Sequence, residues 1–386
     1  MTADIVLPRI LDIGAGASAK LPAVLQRLGL QRPFIITDPF MLEHGPVHEL
    51  QRSLRANGMA SGLFSETVPD PTSACVGAAV AALGGDDHDC VIGIGGGSPL
   101  DTAKAVALLA ARGGEMRDYK VPHRNDTPGL PVVAIPTTAG TGSEATRFTV
   151  ISDSETKEKM LCAGAAFCPT AALVDYELTL TMPKRLTADT GLDTLTHCIE
   201  AYVSRRRNPF SDSMALSGMR LVYDNICKAY DEPGNRDARE AMMLAATQGG
   251  IAFSNASVAL VHGMSRPIGA LFHVPHGLSN AMLLPRITAF SAEADPERYA
   301  QCARAMGVAG ATDDPETAVS RLVNALTALN RELNVPTPQQ YGIPADDYFA
   351  QLQTMAEQAE ASGSPANNPR IPSIEEMRTL YRQCYA

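Results

Sequence analysis

The sequence predicts two domains: an α/β domain built on a parallel sheet over residues 1–182, and an all-helical domain over residues 183–386. Two observations carry this prediction. In the first half, short apolar runs alternate with helical patterns, an order typical of parallel sheets covered by helices. After about Pro183, strand-like runs nearly vanish and apolar residues recur at intervals of three and four. A chain of 386 residues is long enough to bury two such cores.

Each element follows from its local pattern. Short apolar runs followed by turn residues predict buried strands at 33–37, 90–94, 131–135 and 171–175. Helical periodicity in the first half predicts helices at 73–83 and 100–111. The same periodicity in the second half predicts helices at 184–204, 210–230, 239–261, 296–308 and 317–333. The Pro/Asn/Ser-rich segment 362–373 is expected to be the least ordered, as a connector before a last helix.

Composition narrows the class of protein. The formal charge is −10 without a large basic block, which argues against nucleic acid and anionic membranes as partners. The eight cysteines are scattered without CxxC spacing, so we expect reduced thiols and a cytoplasmic location. The sequence lacks an apolar stretch approaching about 18 residues, the length a membrane-spanning helix needs. The N-terminus also lacks the pattern of a signal peptide.

A glycine-rich stretch, "VIGIGGGSPLDTAKAVALLA" at 91–110, is the clearest local motif. Its strand ends in three consecutive glycines, Gly95, Gly96 and Gly97. We expect Ser98 to cap the following helix, with Pro99 at its first position and Asp101 three residues after the cap. Bare backbone N–H groups beside a helix N-terminus form a cradle for a pyrophosphate. The alternative is a tight turn without a ligand.

A second polar loop, "PTTAGTGSE" at 136–144, follows the next predicted strand. Its hydroxyl-bearing residues are Thr137, Thr138, Thr141 and Ser143. Two such loops at the carboxyl ends of parallel strands indicate a nucleotide site in a Rossmann-like domain. Asp38, at the end of another strand, could accept hydrogen bonds from a ribose diol and would repel a 2′-phosphate, which favours NAD over NADP. An ordinary helix cap is an equally good interpretation of Asp38.

A metal site is predicted from acidic and imidazole side chains in the second half. Asp193 and His197 lie four residues apart, so on a helix they share one face. Alone, that pair could equally be a polar stripe. His262, His273 and His276 add imidazoles within a short segment, and spacing does not decide which two would bind. A carboxylate with imidazoles suits Fe²⁺ or Zn²⁺.

Four motifs occur together in order: "GGGSPLDTAK", "PTTAGTGSE", "TGLDTLTHCIEAY" and "HGMSRPIGALFHVPHG". Across roughly residues 5–386 the chain therefore resembles the iron-containing (group III) alcohol dehydrogenase family. The resemblance implies a dehydroquinate synthase-like fold: a nucleotide-binding α/β domain, an all-helical metal-binding domain, and an active site in the cleft between them. It also implies NAD-linked interconversion of a small primary alcohol and its aldehyde, with the metal as Lewis acid, in a homodimer or larger homo-oligomer.

The resemblance also assigns residues. The family's metal ligands fall on Asp193, His197, His262 and His276, whereas His273 falls on the pocket wall or the nicotinamide side. The cofactor-contacting set is Asp38, Gly95, Gly96, Gly97, Ser98, Asp101, Thr137, Thr138, Thr141 and Ser143. Lys159 resembles the family lysine near the adenine ribose, and Val150 and Leu178 are expected to line the cofactor cleft.

Arg266 departs from the family pattern, because many relatives have a histidine four residues after the position of His262. Arginine stays charged and cannot act as a general base, which puts a proton relay here in doubt. Two interpretations stay open: Arg266 binds an anionic group on the substrate, or it pairs with an acidic side chain at the surface. Two further hypotheses are a hydroxyacid–oxoacid transhydrogenase and a non-catalytic assembly protein, against which the intact motifs argue.

Overall fold

The computed structural model describes residues 2–85 and 87–386. The chain forms two compact units, Asp4–Thr181 and Met182–Ala386. The first unit is an α/β layer structure and the second is helical, in agreement with the fold class predicted from the sequence.

A parallel sheet organises the first unit. In the described part of the chain it consists of β1 (Ile10–Ile13), β2 (Pro33–Ile36), β3 (Gly62–Phe64), β4 (Cys90–Gly95), β5 (Val132–Pro136) and β8 (Ala171–Val174). The strand order is β1-β8-β5-β4-β2-β3, and each neighbouring pair is parallel. β4 and β5 are adjacent, with Gly95 opposite Pro136. The loops that follow these two strands therefore start side by side.

Helices cover both faces of this sheet. They are α1 (Leu21–Leu28), α2 (Pro39–His44), α3 (Val47–Ala56), α4 (Ser73–Leu83) and α5 (Gly97–Arg112). Successive residues of a strand point to opposite faces. Val91 thus joins the core under α4 and α5, while Ile92 joins the core under α1 and α3. Burial on both faces explains why these strands are continuous apolar runs.

The start of α5 differs from the prediction. The helix begins at Gly97 with Gly96 as its N-cap, so Ser98 and Pro99 lie inside its first turn. Ser98 is not the cap because the tight turn at Gly95, with φ +146°, starts the helix earlier. Asp101 does not close a capping box either, since its carboxylate accepts hydrogen bonds from the Ser143 hydroxyl and the Val150 N–H. An antiparallel hairpin that the sequence patterns did not predict completes the unit: β6 (Phe148–Ser152) and β7 (Lys159–Ala163).

The second unit contains helices throughout its described length. Its first helices are α6 (Lys184–Val203), α7 (Pro209–Asp231), α8 (Arg236–Ala256), α9 (Leu260–Phe272) and α10 (His276–Ala292). The remainder are α11 (Pro296–Ala305), α12 (Pro315–Glu332), α13 (Pro338–Tyr341), α14 (Ala345–Ala350), α15 (Leu352–Ala361) and α16 (Ile374–Cys384). α6 is the central helix: from Gly191 to Val203 every residue is buried, and α7, α8 and α10 pack around it.

The predicted helix over 239–261 is wrong at its end. α8 stops at Ala256, and α9 starts at Leu260 with a bend of 105° between the two axes. Ser257 breaks the helix with a positive φ of 85°. Within residues 2–85 and 87–386, no single helix is long and apolar enough to span a membrane; α8 and α9 meet that criterion only as a bent pair.

The connector 362–373 is ordered by specific contacts, contrary to the expectation from its composition. It contains a short 3₁₀ helix, Pro365–Asn367, and Asn368 is buried. The Asn368 amide donates to the Ser291 hydroxyl and to the Arg370 carbonyl. These contacts fix the segment against α10.

Candidate active site

Three helices bring one carboxylate and three imidazoles together in the second unit. Asp193 and His197 lie one turn apart on α6, while His262 is in the first turn of α9 and His276 is the first residue of α10. The Asp193 Oδ1 atom lies 3.4 Å from His262 Nε2, 3.7 Å from His276 Nε2 and 3.8 Å from His197 Nε2. His273 is excluded from this cluster by its position in the exposed turn between α9 and α10.

A close helix contact places His276 in the cluster. A Cβ atom at Gly277 would lie 2.3 Å from the Asp189 carbonyl oxygen, so only glycine allows α10 to approach α6 this closely. The His276 side chain is 48% exposed, whereas Asp193, His197 and His262 are buried. The cluster is therefore buried except at His276.

Glu200 orients His262, a role that the sequence patterns did not predict. Its carboxylate is buried and lies 2.6 Å from His262 Nδ1. It also accepts the backbone N–H groups of Ala259, at 2.9 Å, and Val261, at 2.5 Å. Because Nδ1 donates to Glu200, Nε2 is the ring nitrogen that faces Asp193 and could bind a metal. This is the arrangement by which carboxylates orient metal-binding histidines.

Asn280 lies at the centre of the cluster and was also not predicted. Its Nδ2 atom donates to Asp193 Oδ1 at 2.7 Å and lies 3.2 Å from His262 Nε2 and 3.3 Å from His276 Nε2. The amide N–H groups thus face the atoms that would bind a metal. The sequence signal was available, since Asn280 follows His276 by one helical turn.

The donor atoms fit a divalent metal ion. The ligand atoms of Asp193, His262 and His276 all lie within 4.8 Å of one another. Burial would raise the pKa of Asp193, but His197, His276 and a hydrogen bond with His262 outweigh it and hold that pKa well below its usual range. A carboxylate together with imidazole groups is a set of ligands suited to Fe²⁺ or Zn²⁺ and ill suited to Mg²⁺ or Ca²⁺.

Arg266 lies one turn beyond His262 on α9 and is partly buried. Its Nη1 atom donates to the buried Ser364 hydroxyl at 2.9 Å. Among the described residues, no carboxylate lies within ion-pair distance of its guanidinium. The surface ion pair that the sequence left open for Arg266 is therefore wrong.

In the first unit, the two polar loops after β4 and β5 touch each other. A Cβ atom at Gly97 would lie 3.1 Å from Thr141 Cγ2, and one at Gly96 would lie 3.4 Å from Thr138 Cγ2. Thr138 and Thr141 are partly exposed, whereas Thr137 is buried and its N–H donates to the Gly95 carbonyl. The structure thus gathers bare backbone, a helix N-terminus and hydroxyl groups at one edge of the sheet.

A buried lysine ties these loops together. Lys104, on α5, donates to Ser143 Oγ at 2.7 Å, Thr146 Oγ1 at 3.0 Å and the Phe148 carbonyl at 2.8 Å. Asp101 accepts from Ser143 Oγ at 2.7 Å and from the Val150 N–H at 2.9 Å. Ser143 and Asp101 therefore point into the protein and support the loop. Burial lowers the pKa of Lys104, with Asp101 opposing that shift.

Four other residues of the first unit were predicted to contact the cofactor or line its cleft. Asp38 caps α2, since it accepts the Met41 N–H at 2.8 Å, and its other oxygen lies 3.3 Å from where a Gly95 Cβ would be. Val150 and Lys159 are on the β6–β7 hairpin, and Lys159 pairs with Asp70 at 2.9 Å. Leu178 packs on the sheet core beside α1 and α3. Thus Asp38 lies at the glycine-rich loop, while Lys159 and Leu178 have other neighbours.

Both halves of the chain match models of known families. Residues 8–176 match the model for iron-containing alcohol dehydrogenase, and residues 187–385 match the model for the C-terminal part of the Fe-containing alcohol dehydrogenase family. The chain is 34% identical over 377 residues to the NAD-dependent methanol dehydrogenase of Bacillus methanolicus, covering 97% of this chain and 98% of that protein.

Solved structures agree with these matches. A 1,3-propanediol oxidoreductase superposes with a TM-score of 0.95 at 31% identity, covering 100% of both chains. A sulfoacetaldehyde reductase from Bifidobacterium kashiwanohense, solved in complex with NAD⁺, gives a TM-score of 0.90 at 26% identity, covering 100% of this chain and 99% of that chain.

Proposed function

The chain belongs to the iron-containing alcohol dehydrogenase family and is an oxidoreductase that interconverts alcohols and aldehydes; from this premise we propose the residues that do so. A divalent metal, Fe²⁺ or Zn²⁺, is held by Asp193, His197, His262 and His276. The convergence of three Nε2 atoms on Asp193 Oδ1 carries this proposal.

The protein's own contribution is to position these groups. When bound, the metal supplies Lewis-acid activation of the substrate oxygen. Glu200 keeps the proton of His262 on Nδ1, so that Nε2 stays available as a ligand. Burial of Asp193 and His262 excludes water from one side of the site, and the exposed edge at His276 leaves room for a small substrate. Arg266 and His273 are proposed to act on the substrate side and not as ligands.

NAD is the proposed hydride carrier. Gly95, Gly96 and Gly97 offer backbone N–H groups at the start of α5, and Thr138 and Thr141 offer hydroxyls beside them. The free oxygen of Asp38 lies against the same loop, where a carboxylate favours a ribose diol over a 2′-phosphate. Asp101 and Ser143 belong to the site as supports of the loop. Ser98, Thr137, Val150, Lys159 and Leu178 stay in the proposed set on the family resemblance.

The cellular location and the oligomeric state are also proposals. The eight cysteines are free thiols, which supports a reducing compartment such as the cytoplasm. A homodimer or larger homo-oligomer rests on the resemblance, and light scattering of the purified protein measures it.

A reconstitution assay tests the proposed function. The protein is stripped with a chelator, reloaded anaerobically with Fe²⁺ or Zn²⁺, and given short primary alcohols with NAD⁺ while NADH absorbance is followed. We expect turnover that depends on the added metal and on the added NAD⁺. Full turnover by the stripped protein would contradict the metal proposal. Rapid exchange between a hydroxyacid and an oxoacid without added NAD⁺ would instead favour a transhydrogenase.

A further inference from the structure

Arg266 differs from the other buried and half-buried arginines described in the helical unit in how little compensates its charge. Arg298 and Arg370, for example, pair with carboxylates. Arg239 is fully buried, and its Nε, Nη1 and Nη2 each donate to a carbonyl or hydroxyl oxygen. Among the described residues, the hydrogen bonding of Arg266 is confined to one bond, from Nη1 to Ser364 Oγ. A guanidinium carries five N–H donors, so most of them are available to another group.

Glu200 is the acidic residue that acts on the charge of Arg266, but it forms no ion pair with the guanidinium. Glu200 acts on Arg266 only through space, because its oxygens already accept from Ala259, Val261 and His262. Burial lowers the pKa of Arg266 with Glu200 opposing, and an arginine stays charged at any working pH. Holding such a charge partly out of water is costly unless an anion shares the site.

The position of Arg266 is fixed relative to the metal cluster. It follows His262 by one turn of α9, and side chains four residues apart share a helix face. Ser364 holds Nη1 from the neighbouring connector, and Gly263 packs against Pro365 there, since a Cβ at that glycine would lie 2.8 Å from Pro365 Cδ. The guanidinium is thereby held at Ser364, on the same helix as His262 and within the electrostatic reach of Glu200, the carboxylate that contacts His262.

We propose that Arg266 determines specificity for substrates that carry a terminal anionic group: a short hydroxy or oxo compound with a carboxylate, sulfonate or phosphonate. This inference rests on the proposed function of the site, because it assigns the substrate class of the same reaction. The planar fork of the guanidinium matches two oxygens of such a group. With the reacting oxygen at the metal cluster, the anionic group binds Arg266 one helical turn away.

The test compares matched aldehydes on metal-loaded enzyme with NADH. Butanal and 4-oxobutanoate share a four-carbon chain and differ in the terminal anion; 2-oxoethanesulfonate and phosphonoacetaldehyde distinguish sulfonate and phosphonate from carboxylate. The measured quantity is the ratio of kcat/KM for the anionic to the neutral aldehyde. In Arg266→Met we expect this ratio to fall about 30- to 100-fold, mainly through KM, as the loss of a charged hydrogen-bonding partner dictates.

Controls separate this role from a structural one. Arg266→Lys keeps the charge but loses the fork, so we expect an intermediate ratio. Arg286→Met removes an exposed arginine of α10, ten residues after His276, and we expect it to leave the ratio unchanged. Equal loss on both aldehydes in Arg266→Met would overturn the inference, since only positioning would then be affected.

The wild-type result distinguishes this inference from the proposed function. Turnover of neutral and anionic aldehydes with equal kcat/KM would overturn the role of Arg266 and leave the dehydrogenase function intact. Failure of the metal-loaded enzyme on every aldehyde and alcohol would overturn the proposed function itself.

Discussion

Replacing Glu200 with glutamine removes a charge while keeping the side chain's size, and it tests how His262 is positioned. The Glu200 carboxylate accepts three N–H groups: two from the backbone at the start of α9 and one from His262 Nδ1. A glutamine has one acceptor oxygen and one NH₂ group. The NH₂ group then faces either the N–H of Val261 or, turned the other way, both the N–H of Ala259 and His262 Nδ1.

Each orientation of that glutamine has a cost. If the NH₂ group faces Val261, a buried backbone donor is left unsatisfied, which costs about 1–3 kcal/mol of folding free energy. If it faces His262, the Ala259 N–H loses its acceptor, and the ring must carry its proton on Nε2 and loses the lone pair that a metal needs. Loss of a carboxylate that orients a metal-binding histidine weakens metal affinity about 10- to 100-fold. We expect Glu200→Gln to show both effects in part.

The assay is the dissociation constant for Zn²⁺, measured by competition with a chromogenic chelator, together with the thermal midpoint of unfolding. Glu240→Gln, at an exposed position of α8, is the matched control and is expected to change neither value. If the Glu200→Gln protein bound Zn²⁺ as tightly as the wild type, Glu200 would not be orienting His262 as a metal ligand.

Three further predictions concern other parts of the chain. Lys104→Met should lower the free energy of unfolding of the first unit by about 3 kcal/mol and weaken NADH binding, because it leaves the Asp101 carboxylate without its buried cation and the loop hydroxyls without their donor. Urea unfolding and NADH fluorescence measure this. Gly95→Ala should abolish NADH binding while the protein stays folded, because the glycine-rich loop must change its conformation to accept a side chain. Gly95 has a φ of +146°, and the new Cβ would lie 2.6 Å from Pro99 Cγ. Burial raises the pKa of Cys198 to about 12, so this thiol should resist alkylation at mildly alkaline pH until the protein unfolds; rapid labelling of the native protein would contradict this.

The sequence predicted the central strands because each is a continuous apolar run followed by a turn. β2, β4, β5 and β8 fall within or beside their predicted ranges. The edge strands β1 and β3 were not predicted because they are only partly buried, and β3 has just 3 residues. The hairpin of β6 and β7 was not predicted because polar residues interrupt the pattern of apolar residues along its strands.

The break between α8 and α9 could not be predicted from periodicity. Apolar spacing continues through Ser257, yet the chain turns there. The physical cause is Glu200, from a helix about sixty residues earlier in the chain, which accepts the N–H groups of Ala259 and Val261. A local pattern carries no information about such a partner.

The metal-binding residues could be predicted from the sequence, but the residues that hold them in position could not. Asp193 and His197 have helical spacing, and the resemblance selected His262 and His276 over His273. Glu200 has the same helical register, seven residues after Asp193, but acidic residues at that spacing are common on helices. The environment of Arg266 required the structure, because Ser364 lies 98 residues further along the chain.

The isosteric variant Asp193→Asn tests the central claim most directly, since it removes the charge on which the three imidazoles converge. Iron or zinc content, NADH binding and alcohol turnover are measured on the same protein preparation. We expect stoichiometric metal in the wild type, loss of metal and of turnover in the variant, and NADH binding that persists in both. Wild-type turnover by a metal-free Asp193→Asn protein would contradict this expectation.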